Sequence, residues 1–213
     1  MIKERKGGWQ VWVDFYPKHV IKTQRTKKEM RERITPYLKS IGKFNELEKR
    51  VNIMVKDAKE SIKIIRNSNV PRNIIGNPSF LKKGVIKQKR VVSLEDYLIN
   101  LSKKKKVVEA KRAIDKTIET VLELWKYGIH EKTFKFNKNF GIHNSNVVLV
   151  DFLEITDKKI KVKKQLIKKP WRKIKEFEKN ISEKILDYWI DEADKNFTIK
   201  NLNKYWRTNY KSK

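Results

Sequence analysis

Alternation of apolar and polar positions near the start of the chain predicts a β-hairpin. The segment 9–16, WQVWVDFY, is rich in aromatic and β-branched residues, and a Pro-Lys turn separates it from the short run 19–22. A further strand is predicted over 84–92, and another over 147–150, where consecutive apolar residues are typical of a buried strand. A second strand is expected to begin over 156–159. Strands therefore occur both at the start of the chain and beyond its middle.

Apolar residues at helical spacing predict helices between these strands. Two helical stretches follow the hairpin, and the second opens at Asn45 with Glu48 three residues later, which is a capping-box pattern. The apolar stripe of this second helix is predicted to face a core and consists of Leu47, Val51, Met54, Val55, Ala58, Ile62 and Ile65. Ser93 and Asp96 form a similar cap at the start of the next helix, SLEDYL.

The second half of the chain is predicted to be mainly helical. A stripe over 107–127 predicts an amphipathic helix that ends at Gly128, because glycine commonly closes helices. The tail is predicted to be helical as well, with one face formed by Trp171, Ile174, Phe177, Ile181, Ile185 and Trp189. This order of strands and helices corresponds to an α+β fold.

The composition indicates one folded domain. The chain has 213 residues, of which 38% are hydrophobic, and this is enough for one sizeable core despite a charged fraction of 37%. The absence of cysteine excludes disulfides and thiolate metal sites, and the three histidines lack zinc-site spacing. No stretch approaches the ~20 apolar residues of a membrane span, and no apolar run of signal-peptide length follows the first residues, so a cytoplasmic location is expected.

Positive charge dominates the chain, with 53 Lys and Arg against 25 Asp and Glu and a net charge of +28. Such an excess attracts anions, including nucleic acid, nucleotides and acidic membranes. Lysine greatly outnumbers arginine, however, and the usage of Lys, Ile and Asn is also what AT-rich coding produces. Specific nucleic-acid contacts usually depend on arginine, so the charge alone specifies no partner.

Several residues resemble, in chain order, the nucleotide-binding motifs of a protein kinase. Gly7 and Gly8 precede the hairpin, where kinases place a glycine-rich turn over the phosphates, although the full G-x-G-x-x-G pattern is absent. The tripeptide V-I-K ending at Lys22 is similar to the third-strand V-x-K element, which implies that Lys22 binds the α- and β-phosphates. The segment 86–91, which contains Gln88, is similar to the strand and hinge that bind the adenine edge.

The downstream resemblance is to the metal-binding motifs of kinases. Asn139 is followed 12 positions later by Asp151 and Phe152, with a strand in between. This looks like the catalytic-loop asparagine followed by a D-F-G aspartate, except that Leu153 replaces the glycine. The resemblance implies that Asn139 and Asp151 hold the Mg²⁺ of a bound ATP.

In kinases the strand lysine pairs with a glutamate on a helix, and four candidates for that glutamate remain open. Glu29, Glu32, Glu46 and Glu48 all lie on predicted helices. Glu29 is close to Lys22 in the sequence, which makes it difficult for the chain to fold back between them. Glu46 or Glu48 is therefore the preferred partner.

The chain departs from the kinase pattern at the catalytic base. Kinases place the H-R-D aspartate five residues before the asparagine, and here that position is Phe134. The acid in this loop is Glu131, which would precede Asn137 by six residues if Asn137 rather than Asn139 were the metal ligand. Glu131 is the candidate catalytic residue on that reading. No A-P-E-like triplet follows, so the resemblance is to a minimal kinase or a pseudokinase.

Taken over the whole chain, the resemblance implies a single kinase-like domain over 1–213. A small β-rich N-lobe over 1–92 would carry the nucleotide-facing hairpin and helices, and 93–213 would form a shortened helical C-lobe. The implied ligands are ATP and Mg²⁺. The implied activity is phosphoryl transfer to a hydroxyl of a protein or small molecule, or nucleotide binding without transfer.

Two other functions remain open at this level. In a non-enzymatic nucleic-acid-binding protein, Trp9, Trp12 and Tyr16 would stack on bases beside basic strands, although their place in a strand also fits a core. In a structural or interaction protein, the basic helical tail would bind a partner. A cleft that joins Lys22 and Asp151 would favour the kinase-like function, because a nucleic-acid-binding protein gives no reason for these two residues to meet.

Overall fold

A five-stranded antiparallel sheet opens the computed structural model, which describes residues 4–173 and 178–207. Its strands are β1 (Glu4–Gly7), β2 (Val11–Phe15), β3 (His19–Gln24), β4 (Ser79–Lys82) and β5 (Val85–Lys89), in the order β1-β2-β3-β5-β4. The predicted hairpin is confirmed as β2 and β3, and the predicted later strand as β5. The edge strands β1 and β4 escape prediction because they are short, largely exposed and poor in alternating apolar residues.

Two helices, α1 (Lys27–Ser40) and α2 (Leu47–Asn67), connect β3 to β4. The capping box belongs to α1: the Thr26 hydroxyl accepts a hydrogen bond from the Glu29 amide, and the Glu29 carboxylate accepts one from the Thr26 amide. The predicted capping box of Asn45 and Glu48 on α2 is wrong, because no side chain caps that helix. Asn45 lies inside a 3-10 turn over 44–46, whereas a capping residue needs extended backbone.

The second half of the described chain is mainly helical, as predicted. Its helices are α3 (Leu94–Lys103), α4 (Val107–Lys126), α5 (Phe136–Asn139), α6 (Lys159–Lys168), α7 (Glu183–Asn196) and α8 (Ile199–Tyr205). The Ser93 hydroxyl caps α3 by accepting from the Asp96 amide at 3.1 Å. The end of α4 is also confirmed, because Gly128 has a left-handed φ of 65° beyond it. Helix α6 begins where a strand is predicted to continue.

One short strand precedes α3, and four others lie between α4 and α6 in the described chain. They are β6 (Val92–Ser93), β7 (His130–Glu131), β8 (Phe140–His143), β9 (Asn146–Leu149) and β10 (Ile155–Thr156). β6, β8 and β9 form one small sheet, and β7 pairs with β10. The predicted buried strand over 147–150 is confirmed as β9, and the strand predicted over 156–159 shortens to β10. Ile174 and Phe177, predicted on the apolar face of the tail, lie outside the described residues.

Apolar packing joins these elements through one large cluster and one small one. The large cluster runs from Val11 in the first sheet to Trp206 beyond α8. The small cluster lies between α1 and α2 and consists of Met30, Ile34, Leu38, Val51 and Met54. The predicted stripe of α2 is confirmed, since its residues are buried or pack partly buried against one of the clusters. Among the described helices, none combines the length and the apolar composition needed to cross a bilayer.

Aromatic side chains fill the centre of the helical part. Phe136 is fully buried, and its ring centroid lies 5.0 Å from that of Phe134, 5.3 Å from Phe197, and 5.5 Å from both Phe140 and Trp189. Tilted and edge-on contacts of this kind add to the gain from burying the rings. The segment 133–140, which carries several candidate site residues, is therefore held in place by the buried phenylalanines that it contains.

Replacement of Phe136 should destabilise the protein strongly. Phe136→Ala is expected to lower the free energy of unfolding by about 3–5 kcal/mol, because it leaves a cavity in a closely packed cluster. Phe44→Ala is the matched control: this ring is 49% exposed, and its removal should change the free energy of unfolding by less than about 0.5 kcal/mol. Urea denaturation of both variants measures the two values. Equal losses would contradict the assignment of the core.

Candidate functional site

Lys22 extends from β3 into the interior rather than into solvent. Its ammonium donates a hydrogen bond to the carbonyl oxygen of Val150 at 2.5 Å, although the two residues are 128 positions apart in the sequence. Burial lowers the pKa of Lys22, and attraction to the Asp151 carboxylate opposes that shift. The fold thus brings together Lys22 and Asp151, the pair whose proximity favours the kinase-like function.

Asn139 and Asp151 lie next to each other at the open end of the β8–β9 hairpin. The backbone carbonyl of Asn139 accepts hydrogen bonds from the amides of Val150, at 2.8 Å, and of Asp151, at 3.1 Å. The Asp151 carboxylate in turn accepts from the Leu153 amide at 3.4 Å. The hairpin therefore places both predicted metal-binding residues at one end, as the 12-residue spacing predicts.

A cleft of about 900 Å³ opens beside this pair. One wall is the turn between β1 and β2, residues 8–11, and the opposite wall is the segment 133–139 with Asp151 and Glu154. Lys22 lies behind this lining, where Val150 holds its ammonium. Cavities of this size are common for small-molecule and cofactor sites. The sheet and the helical part both contribute residues to this cleft.

A hydrogen bond crosses the cleft and fixes the distance between its walls. The Gln10 amide nitrogen donates to the Glu154 carboxylate at 2.9 Å, and both residues line the cavity. Burial raises the pKa of Glu154, and repulsion from the Asp151 carboxylate raises it further, while Lys135 and Lys132 lower it. Neither Gln10 nor Glu154 is predicted as a site residue. The available signal is weak: Glu154 is a lone acid three residues after Asp151.

Glu131, the predicted catalytic residue, lies beneath the cleft rather than at its surface. Its side chain is 1% exposed, and one carboxylate oxygen accepts from the Thr133 amide at 2.8 Å and the Thr133 hydroxyl at 2.6 Å. The Asn139 amide donates to the same hydroxyl at 3.1 Å. Burial raises the pKa of Glu131 to about 7 despite these stabilising bonds. Thr133 and Asn139 line the cleft, so Glu131 is connected to the cleft surface through the Thr133 hydroxyl.

His130 is a structural residue of the same buried layer. Its Nδ1 accepts a hydrogen bond from the Trp125 indole at 2.9 Å, which leaves the ring proton on Nε2. Burial lowers the pKa of His130 to about 3, so the ring is neutral at physiological pH.

Asn137, the alternative metal ligand, donates to Glu95 at 3.0 Å and points towards α3. Asn139 is therefore the asparagine that the structure places with Asp151.

The structure does not bring the preferred glutamate to Lys22. Glu46 binds Arg50 at 2.8 Å and Lys43 at 3.8 Å, and Glu48 binds Arg31. Both carboxylates lie at the exposed start of α2, which directs its apolar face towards the core. The prediction that Glu46 pairs with Lys22 is therefore wrong, and within the described residues the carboxylate coupled to Lys22 is Asp151.

The residues predicted to surround the nucleotide are separated as well. Gln88 is buried, and its amide donates to the Ile75 carbonyl at 2.8 Å, so its side chain braces the loop before β4. Gly7 ends β1, and a side chain there would collide with Arg25 and Trp12. Gly8 lines the cleft at the tip of the turn. Of the two glycines, Gly8 is the one that faces a ligand-sized cavity.

The described residues of the cleft offer few side chains that can bind a metal ion. Within residues 4–173 and 178–207, no group of three or more His, Cys, Asp and Glu side chains is arranged to hold a metal ion. A Mg²⁺ ion that arrives with a nucleotide needs only one or two protein oxygens, because phosphates and waters complete its shell. Asn139 and Asp151 could supply those oxygens.

The pH dependence of the free energy of unfolding should report the raised pKa of Glu131. Its pKa is 4.5 in the unfolded chain and about 7 in the fold, so between these pH values only the folded state keeps the proton and stability falls as pH rises. Glu131→Gln has no such proton to lose. The free energy of unfolding of the variant minus that of the wild type should therefore grow by about 1.4 kcal/mol per pH unit in this window.

Urea denaturation across the window measures that difference, and His130 cancels because it is present in both proteins. Phe44→Ala, which removes an exposed ring and no titratable group, is the control and should give a difference that does not vary with pH. A flat difference for Glu131→Gln would contradict the raised pKa.

Comparison with known proteins assigns no relative to this chain. No family model matches it, and neither the curated proteins nor the solved structures searched contain a match. The fold is thus described by its own elements as α+β, and the site is interpreted from its own residues and their contacts.

Proposed function

We propose that this protein is a kinase-like protein that binds ATP with Mg²⁺ in the cleft between the five-stranded sheet and the hairpin β8–β9. The observation that carries the proposal is the convergence of Lys22, from the third strand, with Asp151, from the end of the hairpin. Their proximity is not a local consequence of sequence, since 128 positions separate Lys22 from the carbonyl that holds it. Such a convergence of a cation with oxygen ligands is what a metal-nucleotide needs.

Lys22, Asp151 and Asn139 would bind different parts of a metal-nucleotide. Lys22 supplies a positive charge for phosphate oxygens, while Asp151 and Asn139 supply oxygens for the metal. The Lys22 ammonium donates to the Val150 carbonyl, and a phosphate oxygen of the nucleotide would take the place of that carbonyl. Burial strengthens this exchange, because a charged hydrogen bond is stronger in a poorly hydrated site.

Phosphoryl transfer, in addition to nucleotide binding, would require a carboxylate that can act as a base in the cleft. Phosphoryl transfer needs a base within hydrogen-bond reach of the acceptor hydroxyl. Glu131 is 1% exposed and is bonded to Thr133, so it cannot reach an acceptor in this arrangement. Glu154 lines the cleft and has a raised pKa, which makes it the better candidate for a base. Nucleotide binding is accordingly the function proposed here, and Glu154 the residue on which transfer would depend.

A thermal-shift titration with Mg²⁺-ATP tests the proposal. Ligand at about 100 times its Kd adds about 2.7 kcal/mol of stability, which raises the Tm of a chain this size by about 5–10 °C. The shift should require Mg²⁺. It should be lost in Asp151→Ala and in Lys22→Ala, because each removes one of the charges that the metal-nucleotide contacts.

Two controls keep the outcome specific. Asp157→Ala and Lys87→Ala remove the same charges at positions outside the cleft and should retain the full shift. A shift of the same size in Asp151→Ala, or one produced equally by an unrelated polyanion without Mg²⁺, would overturn the proposal.

A further inference from the structure

The cleft carries an exposed aromatic pair. Trp9, at the tip of the β1–β2 turn, is 44% exposed, and Tyr37, on α1, is 46% exposed. Their ring centroids are 5.1 Å apart with the planes tilted by 45°, and both residues line the cavity. Large aromatic side chains are normally buried, so two of them beside an open cleft mark a surface suited to a flat ligand.

Three contacts hold the Trp9 turn in place. The Gly8 amide donates to the Val11 carbonyl at 2.9 Å, and the Arg25 guanidinium donates to the Gly8 carbonyl at 2.9 Å. From the other side of the cleft, Glu154 accepts a hydrogen bond from Gln10. Trp9 is therefore displayed on a fixed backbone, and a ligand that stacks on it loses little free energy to ordering the loop.

The other aromatic residues of this sheet are already occupied. The Arg25 guanidinium lies 3.6 Å from the centroid of the Trp12 ring, and the Trp12 indole donates to Glu29 at 2.9 Å. Tyr16 is stacked on His19, with the ring centroids 4.6 Å apart. Of the three aromatic residues considered for base stacking from the sequence, Trp9 is the one that is more than one-third exposed.

Lysines line the same cleft. Lys135 and Lys173 are exposed and face the cavity together with Trp9 and Tyr37. The net charge of the whole chain is +28, so the field around the cleft attracts polyanions. Exposed aromatic rings beside lysines are the combination that binds single-stranded nucleic acid, because every base has a stacking face and every nucleotide a phosphate.

We infer that the cleft binds single-stranded nucleic acid, with bases against Trp9 and Tyr37 and phosphates at Lys135 and Lys173. These residues differ from Lys22, Asn139 and Asp151, which are assigned to Mg²⁺-ATP. Duplex nucleic acid is a poorer fit, since its bases are stacked on one another and cannot reach the rings.

Fluorescence anisotropy with two labelled probes tests the inference. One probe is an oligothymidylate of about 12 nucleotides, within the range of known single-strand sites, and the other is an abasic strand of equal length and charge. The double variant Trp9→Ala with Tyr37→Ala should weaken oligothymidylate binding by about 5- to 150-fold for each stacked base. Binding of the abasic strand should stay unchanged, because its phosphates still meet the same lysines.

Matched variants separate stacking from unfolding and from charge. Trp9→Phe with Tyr37→Phe keeps the rings and should restore most of the affinity. Phe44→Ala removes an exposed ring that lies outside the cleft, beside Lys39, and should bind both probes normally. Lys135→Ala with Lys173→Ala should weaken both probes and reduce the salt slope by about 1.4, compared with Lys59→Ala with Lys63→Ala on the exposed face of α2.

Unchanged oligothymidylate binding in the Trp9 and Tyr37 alanine variant would overturn the inference, and so would an equal loss for the abasic strand. The proposed nucleotide site is tested separately in the same variant. A Mg²⁺-ATP thermal shift that persists while oligothymidylate binding stays at the wild-type level would reject the nucleic-acid site alone. An absent ATP shift in the wild type, with ring-dependent oligothymidylate binding, would reject the nucleotide site alone.

Discussion

The hydrogen bond from Lys22 to the Val150 carbonyl is the interaction on which the cleft depends. Burying an ammonium costs several kcal/mol unless hydrogen bonds and an opposite charge compensate, and here the compensation comes from Val150 and Asp151. Both lie at the end of the hairpin β8–β9. If the sheet shifted relative to that hairpin, the Lys22 ammonium would become exposed to solvent or would stay buried without its hydrogen-bond acceptor. The position of Asp151 relative to the sheet is thereby set by the desolvation of one lysine.

Aromatic packing supports the same arrangement from the opposite side. Phe134 and Phe136 are buried in the helical core, and the chain lines the cleft on either side of them, at Thr133 before and at Asn139 after. Glu131, beneath this segment, is hydrogen-bonded to Thr133, and its burial in an apolar layer raises its pKa to about 7. The buried carboxyl group of Glu131 is thus connected to the cleft through the Thr133 hydroxyl, which also accepts from Asn139.

Charged groups of both signs surround the cleft. Asp151 and Glu154 place negative charge beside a buried lysine, which suits a metal ion with its nucleotide. Lys135 and Lys173 line the same cleft as two exposed rings, which suits an extended anion with flat groups. The net charge of +28 attracts both kinds of anion at long range, so only short-range contacts can distinguish them.

The sequence by itself determined the local elements: the hairpin, the apolar stripe of α2, the cap at Ser93 and the helix closed by Gly128 all follow from spacing over a few residues. It also indicated Lys22, Asn139 and Asp151 as a group through their resemblance to kinase motifs. Only the tertiary structure decided that Lys22 is coupled to Asp151 rather than to Glu46, that Glu131 is buried beneath Thr133, and that Gln10 meets Glu154 across the cleft. These contacts join residues by burial and by long-range packing, and a desolvated pair leaves no periodic pattern in the chain.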